Sequence, residues 1–362
     1  MPKSDYLSFG GQAIVEGVMM RSPNYYAIAC RAPNGQIVVR TEPLEKTWIG
    51  RQRWLKLPFL RGTFAILDAM TLGTKAMNFA SQVQLDPKFG GEGDGSGSPG
   101  GAEEGAGEVP DLRSPQEKKK DEFWQKAQIV LAMVVGLGLG FVIFNAIPQF
   151  LAQLTGVQAG DKKGTLTNIL AELIKIVIFL GYLWGISRLA AIREVFKYHG
   201  AEHKAINTWE HDRPLSMEEC KLQTRLHPRC GTSFAVIVFL VGLLLLPFVP
   251  RYPITGQPGT WYLDALARIG LELFILVPMI AGISYELLRL AGKLRDQRWV
   301  NIAFWPGLAS QKFLTTIEPE EKQVEVALAS LQAVVHAEKT GELYQTDDAH
   351  KEPVPYHHEL GS

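Results

Sequence analysis

The sequence predicts a mainly α-helical, polytopic membrane protein with about four transmembrane helices, a small N-terminal β-hairpin unit with an amphipathic helix, and a C-terminal amphipathic helix. Three observations lead there. Four windows, at about 127–151, 166–190, 234–249 and 266–290, approach or exceed the ~20 apolar residues that cross a hydrocarbon core. Basic residues crowd the loops on one side of those windows. Near the N-terminus, two β-rich runs are joined through Asn34-Gly35.

Composition narrows the function classes. Lys and Arg number 37, as do Asp and Glu, so the formal net charge is zero and nothing points to nucleic acid. Cys30, Cys220 and Cys230 form an odd set at unrelated spacings, which reads as reduced thiols in a cytosolic setting rather than a disulfide framework. The first residues, MPKSDYLSFGGQ, lack the apolar core of a signal peptide, so insertion is expected to rely on later segments.

In chain order, residues 1–85 form the first unit. The runs 25–32 and 36–41 are expected strands, because Asn-Gly accepts the positive φ values of a type I′ hairpin turn. Before them, GGQAIVEGVMMR sets two glycines and an isolated Glu16 among apolar residues, as in a strand or loop that passes close to something; a glycine turn with a surface glutamate is the plainer alternative. Pro58 opens a helix over 58–82, on which Arg61, Asp68 and Lys75 recur at every seventh position. Three interior charges argue against a span, while lying on the membrane and packing on the hairpin both stay open. Residues 86–122, rich in Gly, Glu, Ser and Pro, cannot bury enough apolar area to offset their ordering entropy and read as a disordered linker.

The transmembrane domain is expected over 123–295. Glu172 and Lys175 stand one turn apart near the start of the second window, placed to pair or to snorkel, and Glu272 and Glu286 fall in the fourth. Lys118, Lys119, Lys120 and Lys126 precede the first window, Arg188, Arg193, Lys197 and Lys204 begin the basic set between the second and third, and Lys293, Arg295 and Arg298 follow the fourth. Both termini and the 192–233 loop should therefore face the cytoplasm, from a plasma (inner) membrane. Residues 296–345 carry a helix over 319–339, capped by Thr316, with Val324, Ala327, Leu328, Leu331, Val334 and Val335 on its apolar face. The 346–362 tail is expected to be disordered, and its His350, His357 and His358 are not expected as ligands.

Most of the metal-capable chemistry lies in the 192–233 loop. On a helix, His199 and His203 project from one face and can reach one divalent cation, with Glu202 bordering the same face. H-x-x-E-H matches the inverted zincin signature, in which the glutamate activates a metal-bound water. His227 and Cys230, an H-x-x-C pair, supply further ligands, and the set suits zinc. A distant glutamate completes such sites; Glu286 lies at the cytoplasmic depth, whereas Glu272 lies at the outer end of its window. Plainer readings exist: interfacial histidines, Arg229 and Lys204 on lipid phosphates, Gly231-Thr232-Ser233 as a helix cap, or closed coordination that makes the metal structural.

The motifs GGQAIVEGVMMR, PFLRG, YHGAEHKAIN, LHPRCGTSF and PGLASQKFLTTIEP together resemble the YqhQ-like family, bacterial membrane proteins also seen in chloroplast-bearing organisms and described as a domain of unknown function and as predicted metal-dependent enzymes. The resemblance implies metal chemistry at His199, Glu202, His203, His227 and Cys230, and extends the site to Glu16 and Arg61. The expected function is a metal-dependent hydrolase with a cytosol-facing zinc site, Glu202 as general base, and Arg61 or Arg229 for an anionic group of a lipid-linked or membrane-protein substrate. The alternative is a non-enzymatic scaffold or assembly factor with a structural metal or none. Transport is disfavoured by the scarcity of intramembrane charge.

Overall fold

A computed structural model describes residues 9–44, 60–90, 131, 135–136, 138–157, 165–249, 263, 267, 270–294 and 297–345. Among the described residues the chain is mainly helical with one small antiparallel sheet. Its strands are β1 (Gly10–Ile14), β2 (Gly17–Arg21), β3 (Tyr25–Arg31) and β4 (Ile37–Pro43). The helices that concern us are α1 (Leu60–Leu85), α2 (Ile147–Leu154), α3 (Thr165–Ile186), α4 (Ala190–Glu210), α5 (Met217–Leu222), α6 (Gly231–Leu245), α7 (Val277–Lys293), α8 (Arg298–Ala303), α9 (Trp305–Ser310) and α10 (Glu321–Thr340). Two compact units result, one from Met1–Gly93, Leu180–Leu244 and Tyr252–Ser362, the other from Asp94–Phe179 and Leu245–Arg251.

In the first unit the expected hairpin is a four-stranded meander in the order β1-β2-β3-β4. Alternation along the strands splits the core in two. Val18, Met20, Ala27, Ala29 and Val39 pack against α4 and α10, while Met19, Tyr26, Ile28, Cys30 and Val38 pack against Leu72, Ala76, Ala80 and Val83 of α1. Packing on the sheet, one of the two alternatives for α1, is thus what its second half does. Near its start, a Cβ on Gly62 would meet Tyr285 of α7. The β3–β4 turn also differs from a type I′ turn. Pro33 fixes a negative φ, only Gly35 is left-handed (φ 87°), and Gly35 N–H donates to the Ala32 carbonyl, which is a type I turn closed by a left-handed glycine.

Helix α10 is a core element, buried over more than the expected apolar face. Besides the expected apolar face, Val326, Ser330, Ala333 and Ala337 are buried. Its cap is Glu320 in a capping box with Gln323, not Thr316, whose hydroxyl donates to the Gln311 carbonyl at 2.9 Å. The segment before α10 instead lies along α4, where Ile317 N–H donates to the Phe196 carbonyl at 3.1 Å. Gly200 permits this, because a Cβ there would come 2.3 Å from the Ile317 oxygen.

Three helical stretches among the described residues are long and apolar enough to cross a membrane: Thr165–Ile186, Gly231–Phe248 and Phe274–Gly292. Gly138–Leu154 is apolar but shorter, and most of the rest of the first expected window lies outside the described residues, as do the 346–362 tail and nearly all of the 86–122 linker. Within the second unit, Phe144 and Phe179 meet edge to face at 6.5 Å, and Lys175 pairs with Glu172 at 2.7 Å.

Candidate metal centre

The polar stretch read as a loop begins within helix α4, whose second half carries polar residues into the protein interior. Glu202, His203, Lys204, Asn207 and Thr208 are each at most 5 % exposed. Buried polar groups need partners, and His203, Lys204 and Asn207 find theirs in the returning chain. Lys204 Nζ donates to the Lys221 carbonyl (2.9 Å) and pairs with Glu318 (2.7 Å), so it is not free for lipid phosphate. Asn207 Nδ2 donates to the carbonyls of Thr224 and Leu226. The helix thereby pins 221–226 and delivers His227 and Cys230 beside its own histidines.

Both helix histidines are oriented by backbone. His199 Nδ1 lies 2.8 Å from the Thr315 carbonyl and His203 Nδ1 lies 2.6 Å from that of Arg225. A carbonyl only accepts, so each Nδ1 carries the proton and each Nε2 is left for another purpose. His199 Nε2 stands 3.1 Å from Cys230 Sγ, and the ligand atoms of His199, His203 and Cys230 all lie within 4.8 Å of one another. Cys230 precedes α6, and its sulfur accepts the Thr232 N–H at 3.4 Å, at the positive end of a helix dipole.

Burial raises the Cys230 thiol, but the facing imidazoles of His199 and His203 outweigh it and hold the thiol well below its ordinary range. For His199, burial lowers the value and the charge of Cys230 raises it, with Glu202 adding to the rise; the result is pushed up to about 9. Both shifts favour a thiolate at Cys230, the form in which cysteine ligates metal.

Glu202 borders this group, its Oε2 3.4 Å from His203 Nε2. Its carboxyl rests against Gly11 of β1, where a Cβ would come 2.6 Å from Glu202 Cγ. The close approach expected of GGQAIVEG is therefore made at Gly11. A cavity of about 530 Å³ opens there, walled by β1, Ala69 of α1, the histidine face of α4 and residues 229–232.

The other expected residues are placed differently. His227 lines the cavity, with its ring centroid 5.6 Å from that of His203, but its Nε2 is 3.4 Å from the Glu210 carboxylate and its backbone is held at both ends by Gln311. Arg229, also on the wall, pairs with Glu210. Glu16 occupies the β1–β2 turn with φ 51°, outside the cavity, where its carboxylate accepts the hydroxyl of fully buried Tyr198 at 3.0 Å. Burial, then the Glu16 charge, pushes that hydroxyl far up. Glu272 and Glu286 are not among the cavity-lining residues, and the Arg61 side chain lies outside the described residues. Glu210, Gln311 and Thr315 were not expected. Glu210 is seven residues beyond His203, two turns along the same face, a spacing that could have marked it; Thr315 acts through its backbone and leaves no such mark.

Fold and site define a class: a helical protein with candidate membrane spans, and a sheet unit that gathers two histidines, a cysteine and a glutamate around a cavity. The chain belongs to the family described as protein of unknown function DUF1385, whose model matches residues 57–337. It is similar to the uncharacterised protein YqhQ of Bacillus subtilis (strain 168), 34 % identical over 342 residues covering 93 % of this chain and 95 % of that protein. No solved structure matches.

Proposed function

We propose that this chain is a membrane-embedded, metal-dependent hydrolase with a zinc site facing the cytosol. One observation carries the reading: His199 and His203 each turn Nδ1 to a backbone carbonyl and Nε2 toward Cys230. That is the outer-shell arrangement of ligating histidines, and two nitrogens with one thiolate sulfur suit zinc in a site that keeps a fourth position open. His227, turned toward Glu210, does not close that position. When bound, such an ion supplies Lewis acidity and a water of lowered pKa.

The remaining roles belong to the chain. Glu202, at the cavity wall, takes and returns a proton as general base. Arg229, held by Glu210, offers its charge to an anionic group of the substrate. The cavity is within the ~300–1,000 Å³ range of small-molecule sites, and its place beside the start of candidate span α6 favours a lipid-linked or membrane-protein substrate. The basic residues between the second and third expected spans favour the cytosolic face of a plasma (inner) membrane. A second reading rests on the 3.1 Å contact of Cys230 with His199, which suits a cysteine nucleophile and its base without metal.

The deciding experiment measures the metal content of full-length, detergent-solubilised protein beside His203→Ala and Glu202→Gln, and hydrolysis with and without chelator. Near-stoichiometric zinc, lost in the histidine variant and kept in the glutamate variant, with chelator-sensitive hydrolysis that Glu202→Gln abolishes, is the expected result. Metal-free hydrolysis stopped by iodoacetamide would favour the cysteine reading. Retained zinc without hydrolysis would favour a scaffold or assembly factor.

A further inference from the structure

Residues 299–315 invert the polarity of a water-exposed helix. Trp299 (58 %), Ile302 (75 %), Trp305 (63 %) and Phe313 (70 %) are exposed, while the inner face sets Ser310, Gln311 and Thr315, each at most 5 % exposed, beside one buried apolar residue, Val300. The inward groups are engaged: Ser310 Oγ donates to the Gly307 carbonyl at 2.7 Å, Gln311 Nε2 donates to the His227 carbonyl at 2.8 Å, and the Thr315 carbonyl faces His199 Nδ1. In water the large apolar side chains belong inside, and an aromatic outer face over a polar inner one is the composition of an element whose surroundings are apolar.

Chain continuity says which surroundings these are. The segment begins a few residues beyond the candidate span Phe274–Gly292, itself lined outside by exposed Phe274, Ile275, Leu287 and Leu290. Helix α8 has six residues, and α9 continues through a π-helical turn over Gln311–Thr315; each is well short of the ~20 a span needs, so they can border a hydrocarbon core but not cross it. Two tryptophans, apolar in body and polar at the ring nitrogen, suit the boundary between headgroups and acyl chains. Exposed Lys312, its Nζ 5.5 Å from the Phe313 ring centroid, brings a cation to that same edge.

We propose that the outer face of 299–313, carried by Trp299, Ile302, Trp305 and Phe313, is seated in the headgroup–acyl boundary of a lipid bilayer, with Lys312 at the lipid phosphates. The inner side of this seat supplies the Thr315 carbonyl to His199 and the Gln311 amide to His227. Lipid contact therefore sets the position of the His/Cys site at the bilayer surface. This holds whether or not the site proves to bind metal.

The test uses the full chain in vesicles of phosphatidylethanolamine and phosphatidylglycerol. The photoreactive residue p-benzoylphenylalanine replaces Trp299, Ile302, Trp305 or Phe313 in turn, with exposed Glu342 as the reference position. The expected result is phospholipid adducts at all four positions, several-fold above the yield at Glu342. Adducts to a second copy or another polypeptide, or lipid yields no higher than at Glu342, would overturn the proposal. As an independent measurement, brominated phospholipid should quench the tryptophan emission of the unmodified protein more than that of a Trp299→Phe, Trp305→Phe double variant; equal quenching counts against the seat.

Discussion

Gly11 and Glu202 lie so close that a Cβ on the glycine would sit 2.6 Å from Glu202 Cγ and 2.7 Å from its Oε1. The absent side chain on β1 is what lets the carboxylate of α4 occupy the cavity wall. Gly11→Ala should push Glu202 aside while leaving the histidines and Cys230 in place. The expected outcome is unchanged metal content, a stability cost of about 1–3 kcal/mol from overpacking, and an activity loss of about 100-fold from the misplaced base. Metal analysis beside turnover on the same preparation separates these effects, and equal loss of both would count against this division of roles.

Cys230 is the thiol that should react. Burial pushes Cys30 far up and Cys220 to about 11, whereas Cys230 is held well below the ordinary thiol range by the two imidazoles. Iodoacetamide at neutral pH, with a chelator present, is expected to label Cys230 through the cavity and to leave Cys30 and Cys220 unmodified. Added zinc should protect it. Peptide mass spectrometry reads all three positions at once, and labelling of Cys220 ahead of Cys230 would contradict the assignment.

The same pair fixes a pH dependence for the metal-free protein. His199, raised from 6.5 to about 9, contributes stability that is complete below pH 6.5 and gone above about 9. Cys230, depressed from 9.0, contributes stability that is complete above pH 9 and lost as pH falls through its folded value. Below pH 9 the two slopes oppose each other, because folding moves a proton from thiol to imidazole. The melting-temperature difference between the protein and Cys230→Ser, measured in chelator, should vary little just below pH 9 and shrink at acid pH as Cys230 takes up its proton.

What the sequence made legible was local. The four-residue spacing of His199 and His203 needs only helical geometry to bring the rings together, and their centroids lie 4.4 Å apart. The two β-rich runs likewise became β3 and β4. By contrast, GGQAIVEGVMMR reads only as a strand or loop and not as the pair β1 and β2, because both faces of the sheet are covered and Val18, Met19 and Met20 show no polar alternation. The choice between Cys230 and His227 as the third donor depends on where Glu210 and Gln311 hold His227, contacts 17 and 84 residues apart in sequence. Orientation of His199 by a backbone carbonyl involves no side chain at Thr315, so no residue type could announce it.

Glu210 gives the sharpest separation between holding the site and doing its chemistry. Its side chain is 2 % exposed and pairs with Arg229, with His227 Nε2 3.4 Å away. Glu210→Gln keeps the shape but strands the arginine charge in a poorly solvated place, and breaking a buried pair from one side costs about 3–5 kcal/mol. The variant should therefore unfold at markedly lower temperature in detergent, whereas Glu210→Gln with Arg229→Gln should recover part of the loss, since no buried charge of the pair then remains. The donors on His199, His203 and Cys230 are untouched by either change. Bound zinc per folded molecule is thus expected to stay at the level of the unmodified protein, and a parallel fall of zinc and stability would place Glu210 among the groups that hold the metal.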